Sequence, residues 1–205
     1  SYNLYNNNIQ FSGGSEKITY MASLGNMSQA GMFKVGEDHF TRWNARANIS
    51  AQVNKYLKLD VGSAYINQAT DNPQDGGYGI DGGGNGILRQ FYSSRMRFPL
   101  YNEDGTYYRS GTSSAIGYAL MKDGGFNRDR KDTYFNNVTA TLSNFVKGLS
   151  VKLMYSRENT NQQNRNFKRT VTYYSGPDPK TASQLHNPKN YAIKDYKTFS
   201  QHYQA

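Results

Sequence analysis

Between positions 41 and 53, apolar or small residues alternate with polar ones without a break. Thr41, Trp43, Ala45, Ala47, Ile49, Ala51 and Val53 occupy the odd positions, and Arg42, Asn44, Arg46, Asn48, Ser50 and Gln52 the even ones. A period of two puts the two sets on opposite faces of a β-strand. Strands of globular proteins usually run about five or six residues, whereas a strand that crosses a bilayer needs about nine to eleven. The alternation here has the longer span. It recurs with Ile18, Tyr20, Ala22 and Leu24, with Leu57, Leu59, Val61 and Tyr65, with Tyr134, Val138, Ala140 and Leu142, and with Leu149, Val151, Leu153 and Tyr155. Weaker examples stand at Tyr5, Ile9 and Phe11 and from Phe199 onward. The pattern predicts about seven strands.

The links between these strands alternate in length. Gly13-Gly14-Ser15, Asn54-Lys55 and positions 144–148 are short, 28–40 is intermediate, and 68–132 and 160–196 are long. Short turns on one side and long loops on the other is the wiring of outer-membrane barrels, whereas a soluble sandwich rarely carries structureless links of this length. The predicted class is therefore all-β, part of a large antiparallel transmembrane β-barrel, with the tight turns on the periplasmic side. Arg42, Asn44, Arg46 and Asn48 are expected to face a watery lumen, because arginine facing lipid is costly. Tyr20, Trp43, Tyr65, Tyr134 and Tyr155 are candidates for aromatic girdles at the membrane interfaces, with ordinary strand packing as the alternative. Within the longest link, Asp75-Gly76-Gly77 and the glycine run at 82–86 read as flexible turns. Positions 87–95 read as a short helix and 101–108 as a small hairpin around Asp104-Gly105.

Composition agrees with this reading. Hydrophobic residues make up 36% and mean hydropathy is −0.84, values that alone suggest disorder. Aromatics reach 14%, however, and the polar residues are patterned. A wall with one apolar and one polar face reconciles the two. No run of about 18 apolar residues predicts a transmembrane helix. Residues 1–20 lack the basic start and apolar block of a signal peptide. Cysteine is absent, which removes disulfides and cysteine metal sites. The net charge of +9 raises nucleic acid as a partner. The basic residues are scattered, and their densest run, 128–132, is interrupted by Asp129 and Asp132. No nucleic acid is expected.

Several of these segments together resemble the barrel of SusC/RagA-family, TonB-dependent outer-membrane transporters. The residues that carry the resemblance are Gly13 and Gly14 with Ser15, Glu16, Lys17, Tyr20, Ser23, Leu24 and Gly25; the pair Gly31-Met32; Arg42, Trp43, Asn44 and Arg46; Leu57-Lys58-Leu59; and the stretch from Met96 to Tyr108. The resemblance implies a barrel of about 22 strands filled by a plug domain. It implies a SusD-like surface lipoprotein as lid and energy drawn from the inner membrane through TonB. The implied substrates are oligosaccharides or peptides too large for porins. On that reading this chain is an internal piece of a longer polypeptide whose plug, and with it the TonB contact, lies elsewhere. Its location is the bacterial outer membrane, in contact with lipid.

No catalytic site is predicted. His39, His186 and His202 are far apart and lack metal-ligand spacing. No nucleophile elbow or phosphate loop is present. Asp71, Asp75 and Asp81 miss the EF-hand spacing, and the adjacent Glu103 and Asp104 are poorly disposed for paired acid–base work. No enzyme activity, cofactor or metal is expected. Binding is better served. Tyr78, Phe91, Tyr92, Tyr107, Tyr108, Tyr173 and Tyr174 are candidate contacts for substrate or lid, since aromatic faces stack on sugar rings or peptide side chains. The bland alternative is that they pack the loops together. At the level of function the alternatives are a passive porin or structural outer-membrane barrel, and a soluble β-rich glycan-binding module or adhesin. An upstream plug separates the importer from the first, and folding in water without detergent would mark the second.

Overall fold

The computed structural model describes residues 3–31, 33, 35–74, 99–110, 113–114, 116–175, 181–185 and 190–204. Seven long strands form one antiparallel sheet. They are β1 (Leu4–Gly14), β2 (Ile18–Ala30), β3 (His39–Gln52), β4 (Leu57–Pro73), β7 (Gly125–Ser143), β8 (Ser150–Lys168) and β11 (Asn190–Gln204), and they lie in that order. Each long strand therefore pairs with the next long strand along the chain, an up-and-down meander. The sheet is open, with β1 and β11 at its edges. The predicted β class and its seven strands are thus present in the fold.

Local chemistry explains the short turns. At the β1–β2 turn, Ser15 N donates to Ile18 O at 2.6 Å, and a Cβ on Gly14 would stand 2.5 Å from that same carbonyl. Only glycine fits there. At the β3–β4 turn, Asn54 Oδ1 accepts from Tyr56 N at 2.8 Å and from Leu57 N at 3.0 Å. This is the side-chain mimicry of backbone that favours asparagine in turns. The β7–β8 turn holds Asn144 at φ 61° and Gly148 at φ 82°.

The opposite end of the sheet carries the longer links and a small cap. Strands β5 (Tyr107–Ser110), β6 (Ser113–Ser114), β9 (Val171–Tyr174) and β10 (Ser183–Leu185) form a second sheet in the order β10-β9-β5-β6, in which β5 and β9 run parallel. A helix, α1 (Ile116–Asp123), packs against it. Gly124 N closes the helix on Leu120 O at 2.9 Å, and Gly125, at φ 109°, turns the chain into β7. The predicted hairpin at 101–108 is present, with Asn102 N donating to Thr106 O at 2.8 Å and Gly105 at φ 80°.

The boundaries of two predicted loops move. Positions 68–132 and 160–196 were expected to be loops, yet β4 runs to Pro73, β7 starts at Gly125, β8 runs to Lys168 and β11 starts at Asn190. These extensions are mostly polar on both faces, apart from a short cross-strand aromatic row of Phe126, Phe167 and Tyr191 near their ends, so they carry little period-two hydropathy. Cross-strand polar pairs accompany the backbone ladder instead. Arg130 Nη2 donates to Asp71 at 2.7 Å, Gln162 Nε2 to Asp129 at 2.9 Å, Asn164 Nδ2 to Asn127 at 2.8 Å and Gln163 Nε2 to Asp195 at 2.9 Å. The basic run at 128–132 belongs to β7 and is divided by strand alternation, with Arg128, Arg130 and Asp132 on one face and Asp129 and Lys131 on the other. The helix predicted at 87–95 lies outside the described residues. The helix α1 was not foreseen.

Candidate functional site

The register resolves the long sheet into two faces. One row runs Ile9, Leu24, Ala45, Tyr65, Tyr134, Asn159, Phe199, and another Tyr20, Ile49, Val61, Val138, Tyr155, Tyr203. Large apolar side chains on this face stand open to solvent: Ile9 is 58% exposed, Phe11 66%, Ile49 51% and Phe199 55%. Among the described residues, the buried apolar side chains are Ala119, Leu120, Met121, Val171 and Tyr173 in the cap and Pro73 at the cap end of β4. The long sheet therefore has no apolar core of its own, and what it possesses is an apolar surface.

Aromatics stand in two groups on this surface, and apolar rows through Ile18, Leu59 and Leu153 and through Leu57, Leu142 and Val151 continue it toward the tight turns. Tyr20, Tyr155 and Tyr203 share a row toward the tight turns, and Tyr155 and Tyr203 are in ring contact at 5.1 Å. Trp43, Tyr65 and Tyr134 lie toward the cap, with Tyr65 and Tyr134 at 4.8 Å. The five residues predicted as girdles fall into these two groups. Farther toward the cap the same face turns polar, with Asp71, Arg128, Arg130 and Asp132. Glu37 from the β2–β3 link accepts from Arg128 Nε at 2.8 Å, and Arg128 Nε lies 3.7 Å from Asp71. This chain of charges ties the link to β4 and β7. The hydrogen bond to Glu37 raises the pKa of the Arg128 guanidinium further. Asp71 is engaged here by two arginines, and Asp75 and Asp81 lie outside the described residues.

The other face is polar. Arg42, Asn44, Arg46 and Asn48 all lie on it, in rows with Gln68 and Lys131, Ile66 and Thr133, Ala64 and Phe135, and Gly62 and Asn137 respectively. Its strand residues include the bases Arg42, Arg46, Lys58, Lys131, Lys152, Lys168 and Lys194 and the acids Asp60, Asp129 and Glu158, so 7 − 3 gives a net +4. On the apolar face Arg128, Arg130, Arg157, Arg165 and Lys197 stand against Asp71, Asp132 and Asp195, so 5 − 3 gives +2.

Of the seven candidate aromatic contacts, Tyr78, Phe91 and Tyr92 lie outside the described residues. The other four are brought together by the parallel pairing of β5 with β9, which sets Tyr107 beside Tyr173 and Tyr108 beside Tyr174. Tyr173 is 6% exposed and packs with Leu120 and Met121, and Tyr107 leans on the same cluster. Tyr107 Oη donates to Asp123, and burial followed by that bond pushes its pKa well up. These two rings build the cap's interior. Tyr108 and Tyr174 point to the opposite face and are half-buried.

Sequence reasoning did not single out a neighbouring cluster. Tyr101 stacks on Tyr107 at 5.3 Å and meets Tyr118 edge-on at 6.1 Å, while Lys122 Nζ donates to Tyr101 Oη at 3.2 Å. The hydrogen bonds with Tyr118 and Lys122 lower the Tyr101 pKa, and the bond to Tyr101 raises that of Lys122. The available signal was the i, i+4 spacing of Tyr118 and Lys122, visible only once α1 is recognised as a helix. His39 and His202 hydrogen-bond to serines at 3.3 and 2.9 Å, and His186 lies outside the described residues. No group of His, Cys, Asp or Glu able to hold a metal occurs among the described residues. No helix among them is long and apolar enough to cross a membrane. No protein-family model matches this chain, and no curated protein matches it.

Proposed function

We propose that this chain forms part of the wall of an outer-membrane β-barrel, and that the parent protein is a SusC-like, TonB-dependent importer. The observation that carries the barrel reading is the long sheet's largely apolar face, exposed from Phe11 to Phe199 and interrupted by Ser63, Asn136, Arg157 and Gln201, opposite a face that is mostly polar. In water such an apolar surface is a liability, because monomeric proteins rarely expose a patch beyond about 300–600 Å². In a bilayer it is the lipid contact, and the polar face lines water. Strand length agrees. β3 spans His39–Gln52, more than a bilayer demands, and β7 and β8 continue as mostly polar strands beyond the apolar band. Neighbouring strands would pair with the open edges β1 and β11, since an unpaired edge is not tolerated in hydrocarbon.

The importer reading rests on the motif resemblance, from Gly13 through Gly25, Arg42 to Arg46 and Leu57 to Leu59. Under it the cap faces outward and meets a SusD-like lipoprotein, the cargo is an oligosaccharide or peptide, and TonB engages another part of the parent protein. The test is peptide mapping of the native protein extracted from outer membranes. The expected result is a detergent-dependent polypeptide several times heavier than 23.2 kDa that co-purifies with a lipoprotein. A water-soluble protein of 23.2 kDa contradicts it and brings the glycan-binding module forward.

A further inference from the structure

We propose that the polar face around Gly25 is an anion-binding stretch of the solute path, and that the solute this protein handles carries carboxylate groups. The inference rests on the barrel reading above, in which this face lines the lumen. Three observations support it.

The first is the charge balance. This face carries a net +4 within its strands, and Arg42, Arg46 and Lys131 at mid-height, with Glu158 in the same rows, supply 3 − 1 = +2 of it. Lys131 shares the row of Arg42 two strands away, about 10 Å across. Two acids stand near this height: Glu158 is three strands from Arg46 in its row, about 14 Å away, and Asp129, two residues before Lys131 on the same face, accepts from Gln162 Nε2 at 2.9 Å. The second is that the charges are not consumed internally. Arg42 Nε donates to the neutral Asn44 Oδ1 at 2.8 Å, and among the described residues neither Arg42, Arg46 nor Lys131 has a carboxylate partner. By contrast, the arginines on the apolar face at Arg128 and Arg130 are paired with Glu37 and Asp71.

The third is shape. Arg42 and Arg46 border a hollow of about 340 Å³, with Asn8, Ser23 and Asn44 on its walls. Gly25 forms its floor, because a Cβ there would stand 3.5 Å from Asn44 Nδ2 and 3.6 Å from Asn8 Oδ1. Guanidinium groups recognise carboxylates through charge-assisted paired hydrogen bonds, and the surrounding amides can satisfy hydroxyls or backbone groups of the same solute. Rings of arginine and lysine are how pores select anions.

The experiment measures binding to the full-length protein in detergent. The probes are tetragalacturonate against maltotetraose, and tetraglutamate against tetraglutamine. The expected result is that at least one acidic probe binds roughly ten-fold more tightly than its neutral counterpart, a preference that shrinks with added salt. It is lost in the R42Q/R46Q variant and kept in R157Q/K197Q, which removes the same charge from the other face. The proposal is overturned if neither acidic probe is preferred, if R42Q/R46Q keeps the preference, or if R157Q/K197Q removes it. Circular dichroism confirms that each variant retains its strands. Spin labels at positions 42 and 46 report separately on the barrel reading: contact with lipid-soluble oxygen there sinks that reading, whereas contact with a water-soluble quencher and no acidic preference sinks this proposal alone.

Discussion

Tyr107 shows how a single hydroxyl can govern the cap. Its ring packs on Leu120, Met121 and Tyr173, and its Oη donates to Asp123. The protonated phenol is favoured in the folded cap, so its pKa is raised from the ordinary value of 10. The stabilisation is therefore fully present below pH 10 and is lost as pH rises beyond it. Hydrogen exchange of the cap amides should accelerate between pH 10 and pH 11, and Tyr107→Phe should remove that component while weakening the cap at neutral pH by about 1–2 kcal/mol. An unchanged alkaline profile in the variant would deny Tyr107 this role. Gly36 is a second sensitive point. It holds φ 85°, and a Cβ there would collide with the Met121 carbonyl of α1. Gly36→Val should cost about 1–3 kcal/mol and expose the β2–β3 link to protease, with the seven-stranded sheet preserved by circular dichroism.

At the scale of elements, alternation made some strands legible and hid the ends of others. The centre of β3 could be read because Trp43, Ala45, Ala47 and Ile49 alternate with Arg42, Asn44, Arg46 and Asn48. The outer parts of β4, β7 and β8 could not, because polar residues dominate both faces there and the single aromatic row through Phe126 and Phe167 is too short to show a period. What marks them is pairing between residues far apart in sequence, such as Arg130 with Asp71 and Gln162 with Asp129, and pairing appears only in three dimensions. The same holds for the cap. The four tyrosines Tyr107, Tyr108, Tyr173 and Tyr174 were identifiable by type, but their meeting depends on a parallel pair joining segments more than sixty positions apart. The helix α1 is too short for its periodicity to stand out. The charged extensions also predict a modest energetic effect. Asp71→Asn removes a carboxylate from Arg128 and Arg130, whose side chains are 40% exposed, so screening limits the loss to at most about 1 kcal/mol. Its readout is faster exchange in residues 35–38, an effect that added salt should reproduce in the unmodified protein.

For the molecule as a whole, the account depends on which face meets lipid. An arginine near the bilayer midplane on the lipid side of a barrel costs about 2–4 kcal/mol, while lumen positions tolerate charge. Ile49→Arg should accordingly reduce assembly into membranes, and its neighbour Asn48→Arg should assemble normally. The most direct measurement is an accessibility scan of β3. The chain contains no cysteine, so single cysteines introduced at each of positions 41–53 can carry a nitroxide label in the membrane-embedded protein. The account predicts that labels at 43, 45, 47, 49 and 51 are reached by lipid-soluble oxygen, and that labels at 42, 44, 46, 48 and 50 are reached by a water-soluble nickel chelate. A scan with no period of two, or one in which Arg42 and Arg46 fall on the oxygen-accessible side, would contradict the assignment of this sheet to a barrel wall.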